Sequence, residues 1–334
     1  MKILILTTFP IKTTALELKN CKMQYHIFTY MLNKYLSGRG DEIILYQCTT
    51  KGTSSRFKDI VSNEKFPEAD HAILVDNRGF LNRVDEFWDM LKLKIKGAIC
   101  TFSASNVFTG NEDILYYMIP SGKTNKRRCK LIYWPCDHNL CSPRQDLSTL
   151  KILVDHNYYG HYKGMVESDK TKIITEQVCK FALDGNFEKP VKITRFIKGG
   201  VENVDPNNVT DTEKYVQGKG LNYEEACALY SSCDIFFVTH KECMGLSVLE
   251  CAMAGCLIVA PKGYIKRELI TKLNYVEFEG DEIPWEYIKN RLNIELSRKR
   301  ALKFSWEHAS ERIYDTIKNF DKYRNRDLRF RNKH

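Results

Sequence analysis

Short apolar runs alternate with longer amphipathic stretches along the first half of the chain. The run KILILTT at residues 2–8 is followed by a stretch in which apolar side chains recur at helical spacing, at Tyr25, Phe28, Met31, Leu32 and Tyr35. Glycines at positions 38 and 40 predict the end of this helix. The pattern predicts further strands at DEIILYQC, HAILVDN, KGAICTFS and CKLIYWPCDH, and a helix at NRVDEFWDMLKLK. This order of strands and helices indicates a parallel α/β sheet.

A second α/β series begins near Leu150. It contains the strand patterns LKILVDH, VKITRFI, EKYVQG, DIFFVTH and YVEFE, and the helix patterns KTKIITEQVCKFAL and NYEEACALYSSC. The polar, proline-containing segment SPRQDLSTL separates the two series. We therefore predict two Rossmann-like domains facing each other across a cleft, at residues 1–147 and 148–308, with a final helix and basic tail at 309–334 that cross back toward the first domain. The length of 334 residues suits two domains of about 150 residues each.

Composition narrows the class of protein. A hydrophobic content of 43% with 28% charged residues is typical of a folded globular chain. The net charge of 51 − 42 = +9 suits a polyanionic partner, although a generally basic surface would give the same value. The twelve cysteines include no C-x-x-C pair, and MKILILTTFP has the pattern of a first strand and not of a signal peptide. No run approaches the roughly 20 apolar residues of a membrane span, and we expect a cytoplasmic protein with reduced thiols and no transmembrane segment.

The stretch KECMGLSVLECAMAGCLIVAPKG at residues 241–263 carries the clearest candidate chemistry. It follows the predicted strand DIFFVTH, and ligands of parallel sheets bind at the carboxyl ends of strands, where helix amino termini favour anions. Gly245 would allow close approach of a ligand to the backbone. Carboxylates accept hydrogen bonds from paired hydroxyls, so Glu250 suits a ribose diol and Glu242 a second sugar. The alternative makes Glu242 a solvated loop residue and Glu250 a partner of the helix dipole.

Residues 215–270 resemble the donor-binding half of GT-B glycosyltransferases of the family-four type. The signature of that family is two glutamates separated by seven residues, the spacing of Glu242 and Glu250, and GLSVLECAMAGCLIVAP follows the usual G-L-x-x-L-E-A-M-A-x-G-x-P-V-V-A. Cys251 and Leu257 stand where the family usually has alanine and proline. The resemblance implies a GT-B fold and a nucleotide-sugar donor, by default a UDP-sugar. It also implies that Glu250 binds the donor ribose and Glu242 the transferred sugar. The neighbouring donor-site residues are expected to be Gly218, Met244, Gly245 and Leu246.

A further likeness lies in VDHNYYGHYKG at residues 154–164, which resembles the segment where the family places an Arg and a Lys-Gly pair on the diphosphate. Lys163 and Gly164 fit the second part, and His156 or His161 would take the Arg position. A lysine here would neutralise the departing diphosphate, although an exposed loop lysine is the alternative. Further candidates for this role are Arg195 and Lys198. Because the chain has no D-x-D motif, we expect no metal, its place being taken by basic residues and helix termini.

The acceptor side resembles a different enzyme. TTFPIKTT replaces the glycine pair that commonly follows the first strand of family-four enzymes, and KLIYWPCDHNLCSP resembles the segment of T-even phage DNA β-glucosyltransferase that carries its catalytic aspartate. That likeness makes Asp137 the proton acceptor, with His138 as the second candidate. Alternatively, Asp137 caps a helix or pairs with His138. A base implies inversion at the sugar carbon, whereas the two-glutamate signature is typical of retaining enzymes, so both outcomes stay open.

The phage likeness predicts 5-hydroxymethylcytosine in double-stranded DNA as acceptor, which requires phosphate contacts and access to a base. The basic cluster KTNKRRCK precedes the strand that ends near Asp137, with aromatic residues upstream at Phe102, Phe108, Tyr116 and Tyr117. The predicted nucleic-acid contacts are Lys123, Lys126, Arg127 and Arg128. A second basic stretch, KYRNRDLRFRNKH, follows at residues 322–334. Such segments are alternatively only solvated.

Two other classes of function stay open. The first is a glycan- or lipid-directed glycosyltransferase that meets a membrane surface through the same basic residues. The second is a catalytically silent binding protein that keeps the fold, against which the intact Glu242, Gly245 and Glu250 argue. For the leading hypothesis we expect a monomer that uses a UDP-sugar without a metal, in the host cytoplasm if the protein is viral.

Overall fold

The computed structural model describes residues 1–7, 24–47, 66–75, 85–103, 113–117, 129–133, 135–155, 170–185, 187–197, 200–207, 221–241 and 245–320. The chain forms two compact units. One unit contains Met1–Tyr133 together with Trp306–His334, and the other contains Trp134–Ser305.

The first unit contains a six-stranded parallel sheet in the order β2-β1-β3-β4-β5-β6. Its strands are β1 (Lys2–Thr7), β2 (Glu42–Gln47), β3 (His71–Val75), β4 (Ile99–Ser103), β5 (Ile114–Tyr117) and β6 (Cys129–Leu131). Helices α1 (Gln24–Ser37) and α2 (Asp85–Lys94) belong to the same unit. Central strands such as β1 are continuous apolar runs because both faces of a parallel sheet are covered. β5 was not predicted, and it contains Tyr116 and Tyr117, two of the aromatic residues suggested to face DNA.

The second unit contains another six-stranded sheet, in the order β12-β11-β10-β7-β8-β9, parallel except for the β8–β9 pair. Its strands are β7 (Leu150–Val154), β8 (Val191–Ile197), β9 (Gly200–Val204), β10 (Ile235–Phe237), β11 (Leu257–Pro261) and β12 (Tyr275–Phe278). β7 and β10 are neighbours at the centre, where the order of the strands reverses. Ligands of open α/β sheets bind beside the carboxyl ends of the strands at such a switch point. The strand predicted at EKYVQG lies outside the described residues.

The helices of the second unit surround this sheet. They are α3 (Thr171–Leu183), α4 (Tyr223–Ser231), α5 (Leu246–Met253), α6 (Arg267–Ile270), α7 (Trp285–Arg291) and α8 (Ile294–Ala301), followed by a 3-10 turn at Leu302–Phe304. Helix α4 starts at a capping box: Asn222 Oδ1 accepts the Glu225 N–H at 2.9 Å, and Glu225 Oε2 accepts the Asn222 N–H at 2.7 Å. This cap fixes the start of a helix that later contributes two tyrosines to the candidate site.

The final helix, α9 (Trp306–Lys318), packs on α1 in the first unit. The Phe28 ring of α1 lies 5.2 Å from the buried Trp306 ring, measured between centroids. At the end of α1, Arg39 Nη2 lies 3.0 Å from Glu311 Oε1, and its guanidinium also covers the Tyr314 ring. The aromatic contact and the ion pair therefore hold the last described helix to an element near the start of the chain.

Residues 135–147 pack in the second unit, although the sequence analysis placed them in the first domain. A buried fork holds them there: Arg144 Nε donates to Asp234 Oδ1 at 2.9 Å, and Arg144 Nη2 contacts Asp234 Oδ2. The Lys151 N–H also donates to Asp234 Oδ2, at 2.8 Å. Paired N–H···O bonds between guanidinium and carboxylate are stronger and more directional than a single bond. The polar, proline-containing segment is thus anchored where its composition suggested a linker.

Two classes of feature are absent from the described part of the chain. No helix there has the length and apolar character needed to cross a membrane. No three His, Cys, Asp or Glu side chains there are grouped so that they could hold a metal ion. Eight cysteines in these ranges are free and buried: Cys100, Cys136, Cys141, Cys179, Cys227, Cys233, Cys251 and Cys256.

Candidate functional site

Helix α5 begins at the carboxyl edge of the second sheet, shortly after β10. Its N-cap, Gly245, has a left-handed backbone with φ +65°, and no side chain caps this end of the helix. A Cβ atom at this position would lie 2.7 Å from Leu269 Cδ2, so both the conformation and the space favour glycine. Leu246, at the first helical position, is half-buried. The backbone N–H groups of a first helical turn have no partner within the helix, so they can bind a ligand.

Glu250 lies one turn further along α5 and is only 7% exposed. Within the described ranges, no hydrogen bond or ion pair reaches its carboxylate. Burial alone raises the pKa of this carboxyl from 4.5 to about 8. An acid that is buried without a partner costs stability, and such groups are concentrated at functional sites. Burial distinguishes Glu250 from a solvated partner of the helix dipole, and its role in binding a ligand stays a prediction.

Aromatic and thiol side chains surround Glu250. Burial raises the pKa of the Tyr223 and Tyr230 phenols of α4 well above their usual range, and the nearby Glu250 carboxylate raises both further. The pKa of the Cys136 thiol, in the segment before β7, is also raised, first by burial and then by the Glu250 carboxylate. These neutral neighbours provide no cation to hold Glu250 ionised.

Asp137 lies in this same unit and uses its carboxylate to stabilise a turn. Its Oδ1 accepts the N–H groups of Asn139 at 2.9 Å and Leu140 at 3.2 Å, while its own N–H donates to the Tyr223 hydroxyl at 3.3 Å. The side chain is buried, at 6% exposure. These two hydrogen bonds cap a turn, and capping is the role that the sequence analysis gave Asp137 as the alternative to catalysis.

Arg298 of α8 holds this turn against the end of α5. Its Nη2 donates to the His138 carbonyl at 2.8 Å, and its Nη1 donates to the carbonyls of Cys141 and Met253, both at 2.9 Å. His138, the second candidate base, is therefore fixed through its backbone, and its side chain is half-buried. The guanidinium thus links two carbonyl groups of the turn after Asp137 to one carbonyl group at the end of α5, which holds the turn beside that helix.

Arg195 lies on an inner strand of the second sheet, level with the last residue of β7. It lies in β8, paired with Val154 of β7 and Glu202 of β9, and is 2% exposed. Its charge lowers the pKa of the Cys179 thiol in α3, against the larger upward effect of burial. The guanidinium is thus within electrostatic range of α3, and its role at the diphosphate stays a prediction.

The remaining predicted site residues lie outside the described residues. They are Glu242, Met244, Lys163, Gly164, Lys198 and Gly218 for the donor, and Lys123, Lys126, Arg127 and Arg128 for nucleic acid. His156 and His161, the candidates for the Arg position, lie outside them too. Their roles stay predictions.

A carboxylate and an imidazole that the sequence analysis did not select meet at the switch point. Asp155 follows β7, His240 follows β10, and His240 Nδ1 lies 3.4 Å from Asp155 Oδ2. Both side chains are largely buried, at 10% and 17% exposure respectively. Asp155 is the penultimate residue of the predicted strand LKILVDH, and His240 is the last residue of DIFFVTH, but only the strand order shows that these strands are neighbours.

Comparison with known proteins supports the fold. No family model matches this sequence, and a search of curated proteins found no match. The lipopolysaccharide outer core galactosyltransferase WaaB matches 96% of this chain and 100% of its own at 11% identity, with a TM-score of 0.57. Sucrose-phosphate synthase from Thermosynechococcus elongatus covers the same shares at 11% identity and a TM-score of 0.56.

A third structure, HepE from Anabaena in complex with UDP and glucose, matches 95% of this chain and 99% of its own at 11% identity, with a TM-score of 0.55. Matches of this length at such low identity establish a shared fold. The chain therefore has the GT-B architecture, an α/β fold with two Rossmann-like domains, and the predicted fold class is confirmed.

The pKa of Glu250 leads to a prediction about stability. The unfolded chain ionises this group above pH 4.5 while the folded chain keeps it protonated to about pH 8, so its contribution to stability is complete below pH 4.5 and is lost as the pH rises to 8. We expect the free energy of unfolding of Glu250→Gln, measured by denaturant titration, to exceed that of wild type by about 3 kcal/mol at pH 8. At pH 4.5 the two free energies should differ little.

The control for this measurement is Glu176→Gln, which removes an exposed carboxylate from the middle of α3 in the same unit. Its unfolding free energy should follow wild type at both pH values. A pH-independent difference between Glu250→Gln and wild type would mean that Glu250 is ionised in the folded protein.

Proposed function

We propose that this protein is a GT-B glycosyltransferase that moves a sugar from a nucleotide donor, most simply a UDP-sugar, to an acceptor hydroxyl. The observation that carries the proposal is the buried carboxylate of Glu250, which has no hydrogen-bond or ion-pair partner among the described residues and lies one turn after a left-handed glycine at the carboxyl edge of the second sheet. A ribose diol supplies the two hydrogen-bond donors that such a carboxylate lacks. The open first turn of α5 provides N–H groups for an anionic part of the donor.

The fold comparison supports the choice of donor. HepE, whose fold this chain shares, has been solved with UDP and with UDP-glucose. In this proposal Glu250 holds the ribose and Glu242 the transferred sugar. Lys163, Gly164 and Lys198 act on the diphosphate, and Gly218, Met244 and Leu246 line the site. The proposal needs no metal ion.

Donor binding to Glu250 should release a proton. The empty site holds a neutral acid below about pH 8, whereas a diol binds best to the ionised form, so binding lowers the pKa of the group. Titration calorimetry of UDP binding at pH 7 in phosphate and in Tris, two buffers with different ionisation enthalpies, should show release of about one proton for each nucleotide bound.

Glu250→Gln should bind UDP more weakly and release no proton, with Glu176→Gln again as the control. Equal heats in both buffers for the wild-type protein would contradict the assignment of the ribose to Glu250.

Asp137 as proton acceptor stays a prediction. Oδ1 is committed to the turn, which leaves Oδ2 for the proton of an acceptor hydroxyl. Asp137→Asn keeps an oxygen for the turn but removes the basicity. We expect turnover to fall by about a hundredfold or more while UDP binding and thermal stability stay near wild type. Unchanged turnover would assign Asp137 to the turn alone.

The stereochemistry of the sugar product separates the two predicted mechanisms. Inversion would support a base such as Asp137. Retention would agree with the two-glutamate signature and remove the need for that base.

For the acceptor, the comparison favours a glycan or a lipid-linked saccharide over DNA. WaaB is a galactosyltransferase of the lipopolysaccharide outer core, and AviGT4, which matches 96% of this chain with a TM-score of 0.53, takes part in avilamycin A biosynthesis. The basic cluster at residues 123–130 and the tail at 322–334, on which the DNA hypothesis depends, are mostly outside the described residues. We therefore infer a saccharide acceptor and keep 5-hydroxymethylcytosine DNA as the competing substrate.

One transfer assay tests the donor and the acceptor together. The protein is incubated with several UDP-sugars and three acceptors: oligosaccharides, duplex DNA with cytosine, and duplex DNA with 5-hydroxymethylcytosine. The products are identified by mass spectrometry, with Glu250→Gln as the inactive control. Mass gain on oligosaccharides alone is the expected result, and gain confined to hydroxymethylated DNA would overturn the acceptor. Absence of transfer and of UDP release with every donor would overturn the glycosyltransferase itself.

A further inference from the structure

We propose that Asp155 and His240 form a carboxylate–imidazole pair that binds the donor diphosphate and stabilises it as it leaves. The inference rests on the proposed function and concerns the same site. It assigns the binding of the diphosphate to two residues that lie within the described part of the structure.

The pair occupies the position where the fold binds ligands. β7 and β10 are adjacent and parallel, with Val154 opposite Phe237, and Asp155 and His240 follow these two strands at the same edge. The Asp155 N–H donates to the Phe237 carbonyl at 2.9 Å, which extends the pairing to the edge itself. Both residues therefore belong to the switch point of the second sheet.

A buried chain of hydroxyl groups fixes this edge. Thr239 Oγ1 donates to the Asp155 carbonyl at 3.0 Å, and the hydroxyls of Thr171 and Thr239 are 3.0 Å apart. The Lys170 N–H also donates to the Thr239 carbonyl, at 2.8 Å. The start of α3 is thus bound to the ends of both strands, and the backbone around the pair has little freedom to move.

The orientation of His240 suits an anionic ligand. Nδ1 faces Asp155 and is buried, so the exposed part of the side chain lies away from the carboxylate. In the proposal His240 acts as an imidazolium whose Nδ1 is directed to the Asp155 carboxylate. The Lys170 ammonium is bound to the Gly280 carbonyl and Asp281 Oδ1, each at 3.0 Å, so that cation is directed elsewhere.

Asp155 of the pair and Glu250 both act on the pKa of the same phenol, that of Tyr230. The pKa of the Tyr230 phenol is raised mainly by burial, then by Glu250, and to a smaller degree by Asp155. Both carboxylates are therefore within electrostatic range of Tyr230. A nucleoside diphosphate whose ribose meets Glu250 carries its phosphates only a few bonds away, toward the first turn of α5 and the switch point.

The chemical step is the departure of the diphosphate. The bond between the anomeric carbon and the terminal phosphate oxygen breaks, and its electron pair stays on that oxygen. The acceptor oxygen forms the new bond to carbon and loses its proton to a base or to solvent. An imidazolium N–H beside the phosphate stabilises the charge that develops there and keeps its own proton.

The test compares the binding of UDP and of uridine by titration calorimetry. Wild type should prefer UDP, and His240→Gln should lose about tenfold or more in UDP affinity while its uridine affinity is unchanged. His240→Lys keeps a cation and should retain most of the preference for UDP. Asp155→Asn should show a smaller loss than His240→Gln. His308→Gln, which changes an exposed histidine of α9, is the control and should match wild type.

Turnover supplies a second readout. His240→Gln should lower kcat for sugar transfer more than it raises KM, because the charge on the phosphate is largest in the transition state. Equal affinities of wild type and His240→Gln for UDP, or equal losses for UDP and uridine, would overturn the pair and leave the glycosyltransferase proposal standing. A wild-type protein that binds none of UDP, GDP and ADP would overturn both.

Discussion

The central physical constraint in the second unit is that the Glu250 carboxylate is buried with no hydrogen-bond or ion-pair partner among the described residues. Helix α5 carries the Glu250 side chain and starts at Gly245, whose backbone is left-handed. The phenols and thiols near the carboxylate exclude most water from it. Each of these features costs conformational or solvation free energy. A protein selected for stability alone has no use for such an arrangement, whereas a site for paired hydroxyl groups requires an unoccupied acceptor.

Side chains around the site form hydrogen bonds that offset the free-energy cost of burying Glu250. Arg298 donates to three carbonyls, Arg144 forks onto Asp234, and Asp137 accepts two backbone N–H groups. All three side chains hold the segment that precedes β7 against the second sheet and its helices. A rigid shell of this kind keeps a destabilising carboxylate in one position, as preorganised binding sites require.

The strand order gives the site its second component. Because β7 and β10 are adjacent, the residues that follow them meet at one edge. His240 Nδ1 therefore lies 3.4 Å from Asp155 Oδ2, although the two residues belong to different βα units. Helix α5 starts from the same edge. The Asp155–His240 pair and the helix that carries Glu250 thus start from one edge of the sheet, which is the arrangement that the proposed donor requires.

Periodicity and motif spacing determined much of this protein. The alternation of strand and helix, most element positions, the glycine at the start of α5 and the spacing of Glu242 and Glu250 are local patterns, and local backbone preferences and side-chain direction decide them. Tertiary structure alone decided which strands are neighbours, and hence the meeting of Asp155 with His240. It also decided that residues 135–147 belong to the second unit, because the buried partner of Arg144 is Asp234, far along the chain. The state of Glu250 depends in the same way on Tyr223, Tyr230 and Cys136, whose approach from distant segments sets the solvation of one carboxylate and hence its pKa.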